Sequence, residues 1–266
     1  MRRIEPAIKQ GTQDYPSEAA ALKDSLSARR PQGRPDGRCV CLVRPGSFEA
    51  AEYRSLCHKL ESRKSEGLKV IGVTSPDPGD GKTTTAINLA ACFAELRGSR
   101  TLLVDADLRR SAVASALGMK GEATPGLADL LTGFEFPLEN VVRPTIKDGL
   151  SFLPAGSVPR DPYRVLRTSV RVDTFAEQVR GWDWVIVDTA PLLAVPDWRA
   201  VSSWIDGFLV VIGARRTPRS AVAETLDAIG PERTIGIVLN RYEVPRSRQK
   251  KYYHYYITPQ EAGADT

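Results

Sequence analysis

Long apolar runs, histidine and cysteine are all scarce in this chain of 266 residues. No stretch approaches the roughly 18 consecutive apolar residues that a membrane-spanning helix needs. The first residues are charged and lead into no apolar segment, so no secretory signal is expected. With four cysteines and two histidines, neither a disulfide framework nor a cysteine-based metal site is expected. These absences favour a cytoplasmic protein.

The net charge of +5 is concentrated at the two ends of the chain. Residues 1–46 carry nine Lys or Arg against five Asp or Glu, and residues 241–266 carry five against three. The part between them, 47–240, carries twenty-three against twenty-four. Because a nucleic-acid-binding domain usually presents a basic folded face, no nucleic-acid partner is expected. Basic ends suit an anionic membrane surface or an acidic partner.

The chain is predicted to have three parts: a disordered basic arm at 1–46, an α/β domain at 47–241 and a flexible tyrosine-rich tail at 242–266. Apolar strands alternate with helices in the middle part, which predicts a mostly parallel central sheet between two helical layers. The predicted strands are 69–74, 101–105, 150–154, 184–188, 207–213 and 234–240. The predicted helices are 48–62, 83–97, 111–117, 126–132, 163–180, 196–203 and 219–229.

The most informative stretch joins an apolar strand, a Gly/Pro-rich loop and a helix that opens on Gly-Lys-Thr-Thr. Backbone N–H groups of such a loop and of the helix N-terminus converge on phosphate oxygens. Lys82 would reach the β- and γ-phosphates of a nucleotide, and the Thr83 hydroxyl would bind Mg²⁺. The alternative is an ordinary Gly/Pro turn between a strand and a helix. Pro76 replaces a glycine of the strict motif, but strand, loop and helix follow one another as a P-loop NTPase requires. The predicted nucleotide-binding residues are Pro78, Gly79, Asp80, Gly81, Lys82, Thr83 and Thr84.

Aspartates stand at the ends of two predicted strands. Asp105 and Asp107 follow one strand and Asp188 ends another, and in an open parallel sheet both positions lie at the ligand-binding edge. Asp188 matches the carboxylate that holds the metal, while Asp105 and Asp107 offer a second metal contact and a base for an incoming hydroxyl. The alternative for any single one of them is an ordinary helix N-cap. Their combination with a phosphate loop favours phosphoryl transfer.

Three further charged residues have two interpretations each. Arg109 and Arg110 either stabilise transferred phosphoryl charge or contact a neighbouring subunit, or they form a solvated basic pair. Asp197 either faces the site or caps a helix after Pro196.

The tail contains most of the tyrosines on a basic strip without a core-forming period. Exposed tyrosines of this kind are good phosphoryl acceptors, and each phosphate adds nearly two negative charges. The alternative is a tail that binds a membrane interface or packs on a partner. The candidate phosphoacceptors are Tyr242, Tyr252, Tyr253, Tyr255 and Tyr256.

Together these motifs resemble the bacterial tyrosine kinases (BY-kinases) of capsule and exopolysaccharide assembly. The resemblance covers about residues 48–257 and includes the phosphate loop, both aspartate motifs and the tyrosine cluster. It implies an ATP- and Mg²⁺-dependent tyrosine kinase whose subunits form a ring and phosphorylate each other's tails. It also implies a transmembrane polysaccharide co-polymerase as activator and a cognate tyrosine phosphatase. This chain resembles the separate cytosolic type, held at the inner face of the plasma membrane by its partner.

The ring-forming helix departs from the family pattern of one Glu and two Arg at three-residue steps. Arg54 is kept, Glu52 is shifted by one position, and Cys57 stands where the second Arg belongs. We therefore expect weak self-association. Ala190 replaces the first of two prolines that usually follow Asp188.

Two other functions remain as alternatives. A partitioning or septum-positioning ATPase of the ParA/MinD kind shares the fold, but its signature lysine is replaced here by Asp77. A non-catalytic ATP-binding scaffold of the polysaccharide machinery is compatible with the altered ring helix. Five intact site residues favour the active kinase over the scaffold: Lys82, Thr83, Asp105, Asp107 and Asp188.

Overall fold

Seven strands form one sheet in the computed structural model, which describes residues 33–119, 125–133 and 137–245. The strand order is β3-β4-β2-β5-β1-β6-β7. All neighbouring strands are parallel except the short β3, which is antiparallel to β4. The strands are β1 Val70–Thr74, β2 Thr101–Asp105, β3 Arg143–Pro144, β4 Leu150–Leu153, β5 Trp184–Asp188, β6 Gly207–Gly213 and β7 Thr234–Asn240.

Helices cover both faces of this sheet, as the alternating pattern predicts. Short 3₁₀ turns lie at Lys64–Glu66 and Ser202–Trp204. The α-helices are α1 Val40–Val43, α2 Phe48–Glu61, α3 Lys82–Phe93, α4 Val113–Ala116, α5 Leu127–Thr132, α6 Leu138–Val141, α7 Pro162–Thr168, α8 Val172–Val179, α9 Asp197–Val201 and α10 Arg219–Ile229.

The core has two halves because successive strand residues point to opposite faces. In β1, for example, Ile71 and Val73 belong to one apolar cluster and Val70 to the other. Ten of the twelve residues of α3 are buried, and Phe93 at its end stacks on Trp184 of β5 with ring centroids 4.1 Å apart. The phosphate loop therefore leads into a helix that is packed on all sides.

The six predicted strands are all present, and one predicted helix is wrong. The segment 163–180 is two helices, α7 and α8, separated at Ser169–Arg171. The Ser169 hydroxyl donates to the Leu131 carbonyl at 2.6 Å and accepts from the Arg171 amide, while Val170 is exposed. These side-chain bonds replace the helical ladder, so the helix ends there.

The predicted disordered arm is also too long. Residues 33–46 are part of the folded domain, with α1 inside them and Cys39 and Cys41 each 1% exposed in the core. The sequence signal for this folded segment was the apolar run at 39–43, because apolar residues of this kind are usually buried in a folded domain. Residues 1–32 lie outside the described residues.

None of the helices in the described ranges is both long and apolar enough to cross a membrane.

Candidate functional site

The phosphate loop lies between β1 and α3, at the carboxyl edge of the sheet. Gly79 and Gly81 adopt positive φ angles of 88° and 101°, a region that other residues rarely enter. The loop leads directly into α3, whose first residue is Lys82. Backbone amides of a glycine-rich loop at a helix N-terminus bind phosphate.

Three side chains at or just after the ends of β6 and β7 donate hydrogen bonds to the loop's carbonyl groups. Arg216 donates to Pro78 O at 3.1 Å, Asn240 to Asp80 O at 2.8 Å, and Arg241 to Gly79 O at 2.6 Å. The buried Asp80 carboxylate accepts from the Thr217 hydroxyl at 2.9 Å. Sequence reasoning missed these supports because they lie about 140 to 160 positions away. They fix the loop through its carbonyl groups and the Asp80 side chain.

Lys82 lies at the centre of the site. Its ammonium donates to Asp107 Oδ2 at 2.8 Å and lies 3.5 Å from Asp188 Oδ1. Burial by itself lowers the pKa of Lys82, but Asp188 and Asp107 outweigh it and hold the pKa above its usual value. The side chain is therefore a fixed positive charge in a mostly buried place.

Thr83 and Asp188 together provide oxygen atoms suited to a divalent cation. The Thr83 hydroxyl donates to Asp188 Oδ2 at 2.7 Å. The other oxygen, Oδ1, is buried and has no hydrogen-bond donor among the described residues. Burial raises the pKa of Asp188, although Lys82 opposes this shift. Hydroxyl and carboxylate oxygens are the ligands that Mg²⁺ prefers, so these two residues fit the predicted metal site.

Asp105 is paired with Asp188 in the register of β2 and β5 but is turned into its own loop. Its carboxylate accepts from the Ser111 hydroxyl at 2.9 Å and from the amides of Val113 and Asp107 at 3.3 Å. Burial and the nearby Asp188 raise the pKa of Asp105 to about 7. Asp105 does not line the cleft described below. In this structure it holds the loop, and its metal-binding and catalytic roles stay predictions.

Asp107 and the two arginines after it lie at the rim. The amide of Arg110 donates to Asp107 Oδ1 at 3.0 Å. Arg109 is paired with Asp197, through contacts of 2.7 and 3.1 Å. The N-cap interpretation of Asp197 is wrong, because Asp197 is the first residue of α9 and its carboxylate binds Arg109 instead of the helix amides.

A cleft of about 640 Å³ lies over this site, and it is lined by Lys82, Thr83, Asp107, Arg109 and Arg110 but not by the fully buried Asp188. The predicted nucleotide-binding residues lie along it, except Asp80, which is buried beneath the loop. The opposite walls come from the loop after β5, with Ala190 and Pro191, and from Asp36 and Arg38 before α1.

The Asp36–Arg38 wall is a part of the site that the sequence interpretation missed. Arg38 forms a bidentate pair with Asp36, at 2.9 and 2.7 Å, and Arg38 holds the pKa of Asp36 down at about 2. Asn88 of α3, which is fully buried, ties this segment to the phosphate-binding helix. The available sequence signal for this attachment was Asn88 itself, a polar residue inside the apolar run of α3.

The candidate phosphoacceptors lie elsewhere. Tyr242 is 55% exposed at the end of β7 and lines a separate groove of about 480 Å³ between α2 and β7. The other four, Tyr252, Tyr253, Tyr255 and Tyr256, lie outside the described residues.

Comparisons with known proteins agree with this geometry. Residues 71–261 match the family described as the CobQ/CobB/MinD/ParA nucleotide binding domain. The septum site-determining protein MinD of Pyrococcus horikoshii shares the fold, with a TM-score of 0.54 at 22% identity over 70% of this chain and 77% of that one. Fold and cleft together define a nucleotide-binding protein of the P-loop class, as predicted.

Among its curated relatives, the chain is 30% identical over 207 residues to the tyrosine-protein kinase CpsD of Streptococcus pneumoniae, covering 76% of this chain and 88% of that protein. It is 29% identical over 232 residues to the tyrosine-protein kinase YwqD of Bacillus subtilis, covering 86% and 96%. The kinase domain of Escherichia coli tyrosine kinase ETK superposes with a TM-score of 0.70 at 26% identity, covering 78% and 81%. The chain belongs to the bacterial tyrosine kinases, and the resemblance predicted from its motifs is confirmed.

Proposed function

We propose that this protein is an ATP- and Mg²⁺-dependent tyrosine autokinase that phosphorylates the tyrosine cluster of a neighbouring subunit's tail. The observation that carries the proposal is the position of Lys82, whose ammonium touches Asp107 on one side and approaches Asp188 on the other. Phosphoryl transfer needs a cation at the transferred group, a metal-binding carboxylate and a base for the acceptor hydroxyl. Lys82, Asp188 and Asp107 are suited to these three roles: Lys82 and Asp107 line the cleft, and Asp188 is buried next to Lys82.

The chain's own residues would divide the work as follows. The loop amides and α3 hold the phosphates, and Lys82 stabilises negative charge at the transferred group. Thr83 and Asp188 would hold Mg²⁺, which neutralises phosphate charge when bound. Asp107 accepts the proton of the tyrosine hydroxyl. At the same time the phenolic oxygen forms a bond to the γ-phosphorus, and the bond from the γ-phosphorus to the bridging β-phosphate oxygen breaks. The products are phosphotyrosine and ADP.

The resemblance to the family supports a biological setting for this kinase. We propose that the kinase regulates capsule or exopolysaccharide polymerisation and export, at the inner face of the plasma membrane, through a transmembrane co-polymerase that activates it. A tyrosine phosphatase would return the tail to its unmodified state. A solved structure described as the chimerical protein CapA2B2 shares the fold at 22% identity, with a TM-score of 0.71, covering 85% of this chain and all of that one.

Mass spectrometry of the tail after incubation with Mg²⁺ and ATP tests the kinase directly. Wild type would be compared with Lys82→Met and with Lys147→Met as the matched control. Lys147 also forms an ion pair with a carboxylate, Glu95 at 3.2 Å, but does not line the cleft. Each protein would be assayed with and without the cytosolic segment of a candidate membrane partner.

We expect phosphotyrosine between residues 252 and 256 in wild type and Lys147→Met, and none in Lys82→Met. Phosphotyrosine at an unchanged level in a folded Lys82→Met protein would refute the site. An unmodified tail in every condition, from protein that still binds ATP, would instead support the non-catalytic scaffold.

A further inference from the structure

Arg109 and Asp197 form a closed ion pair at the rim of the nucleotide cleft. Arg109 Nε donates to Asp197 Oδ2 at 2.7 Å and Nη2 donates to Oδ1 at 3.1 Å. Both carboxylate oxygens of Asp197 are therefore engaged, and the side chain is only 2% exposed. A bidentate contact of this kind fixes orientation as well as distance.

This pair joins two loops that are far apart in the sequence. Arg109 lies in the loop after β2, and Asp197 opens α9 after the loop that follows β5. Arg109 lines the cleft itself, and so do Pro191 and Val195 of the second loop. The ion pair is thus a cross-link between two walls of the site.

The same pair is connected to the proposed base. The amide of Arg110 donates to Asp107 Oδ1 at 3.0 Å and lies 3.2 Å from the Asp107 carbonyl, which closes the turn containing Arg109. The other oxygen of Asp107 accepts from Lys82. Anchoring Arg109 therefore anchors the turn that presents Asp107 to Lys82.

We propose that Asp197 and Arg109 are positioning residues, which hold Asp107 in place for phosphoryl transfer without contacting the transferred group. The proposal rests on the kinase function proposed above. It also separates the two arginines, because the guanidinium of Arg109 is occupied by Asp197 while that of Arg110 has no acceptor among the described residues and faces the cleft.

The test compares Arg109→Ala, Arg109→Lys and the double variant Arg109→Ala/Asp197→Ala with wild type. Removing Arg109 alone leaves a buried carboxylate unpaired, which is strongly destabilising. The double variant removes both charges and so keeps the test valid if the single variant fails to fold. Arg180→Ala is the matched control, since Arg180 contacts Asp206 at 2.7 Å beside the start of β1, at the opposite edge of the sheet.

Three quantities would be measured: ATP affinity, the single-turnover rate of phosphotransfer, and the hydrogen-exchange rate of the Arg110 amide. We expect the double variant to lose on the order of a hundredfold in rate, the cost of about 1 Å of misplacement, while its ATP affinity stays within a fewfold. Arg109→Lys should recover part of the rate, and Arg180→Ala should behave as wild type. The Arg110 amide should exchange faster in the double variant.

An equal loss of ATP affinity and rate would overturn the proposal, because it would make the pair part of the binding surface. A double variant with the wild-type rate and wild-type Arg110 exchange would also overturn it. If wild type transfers no phosphate at all, the kinase function fails, and the Arg110 exchange rate still decides whether the pair holds this turn.

Discussion

Asn88→Ala is the substitution whose effect the structure predicts in most detail. Asn88 is fully buried in α3 and makes three hydrogen bonds, two of them to the segment before and inside α1. Its amide nitrogen donates to Arg38 O at 3.0 Å and to Thr84 O at 2.9 Å, and its oxygen accepts from the Cys41 amide at 2.9 Å. Truncation to alanine removes all three contacts.

The expected cost follows from what each partner loses. The Cys41 amide belongs to the first turn of α1, where no helical carbonyl is available, so it becomes an unpaired buried donor at about 1–3 kcal/mol. The Arg38 carbonyl loses its donor at about 1 kcal/mol. Thr84 O lies inside α3 and keeps its helical donor, so it adds little. The sum is a loss of about 2–4 kcal/mol in the free energy of unfolding.

Urea unfolding gives this free energy, and hydrogen exchange of residues 36–46 reports the segment itself. The segment should exchange faster in Asn88→Ala, because its attachment to α3 is lost. Thr225→Val is the control, since the Thr225 hydroxyl is buried without a hydrogen-bond partner among the described residues and its removal should leave stability unchanged or increase it. If Asn88→Ala were as stable as wild type, with unchanged exchange at 36–46, the anchoring role would be refuted.

Three further results are expected. Burial raises the pKa of Asp105 to about 7 in the folded protein, so the unfolded chain loses this proton at a lower pH than the folded protein does. The free energy of unfolding of the ligand-free protein should therefore fall as the pH rises from 4 to 7. Asp105→Asn should flatten this fall in urea titrations, and parallel curves for the two proteins would contradict it. Self-association should be weak without a partner, because Cys57 is buried and uncharged; a stable octamer in sedimentation would contradict this. Replacing the candidate acceptors with Phe should remove most autophosphorylation, and phosphate persisting elsewhere would disprove the tail assignment; these residues are Tyr242, Tyr252, Tyr253, Tyr255 and Tyr256.

The prediction of weak self-association rests on Cys57 rather than on Arg54. Arg54 is engaged within the chain, with Glu95 at 2.8 Å and with Pro45 O at 2.7 Å. An exposed pair of this kind is worth only about 0–1 kcal/mol, so a neighbouring subunit could exchange it at little cost. The Cys57 thiol lies in the core and so offers no ion pair that a neighbouring subunit could replace.

The arrangement of the candidate site was predictable from the sequence because its signals are local. The strand, loop and helix around Lys82 follow one another in the chain, and a parallel sheet brings the ends of β2 and β5 together by rule. Asp105 and Asp188 are accordingly paired in the register. The supporting contacts were not predictable in this way. Arg109 meets Asp197 across 88 positions, and no local periodicity reports such a contact.

Helix α3 explains why the predictable and the unpredictable parts depend on each other. Its first residues, Lys82 and Thr83, carry the site, while Asn88 in its middle holds the segment that forms one wall of the cleft. Just after its end, Glu95 binds Arg54 of α2. The phosphate site, the cleft wall and α2 are thus all attached to one closely packed helix. The motif at the start of α3 carries the proposed chemistry, and residues along the helix that belong to no motif position the elements around it.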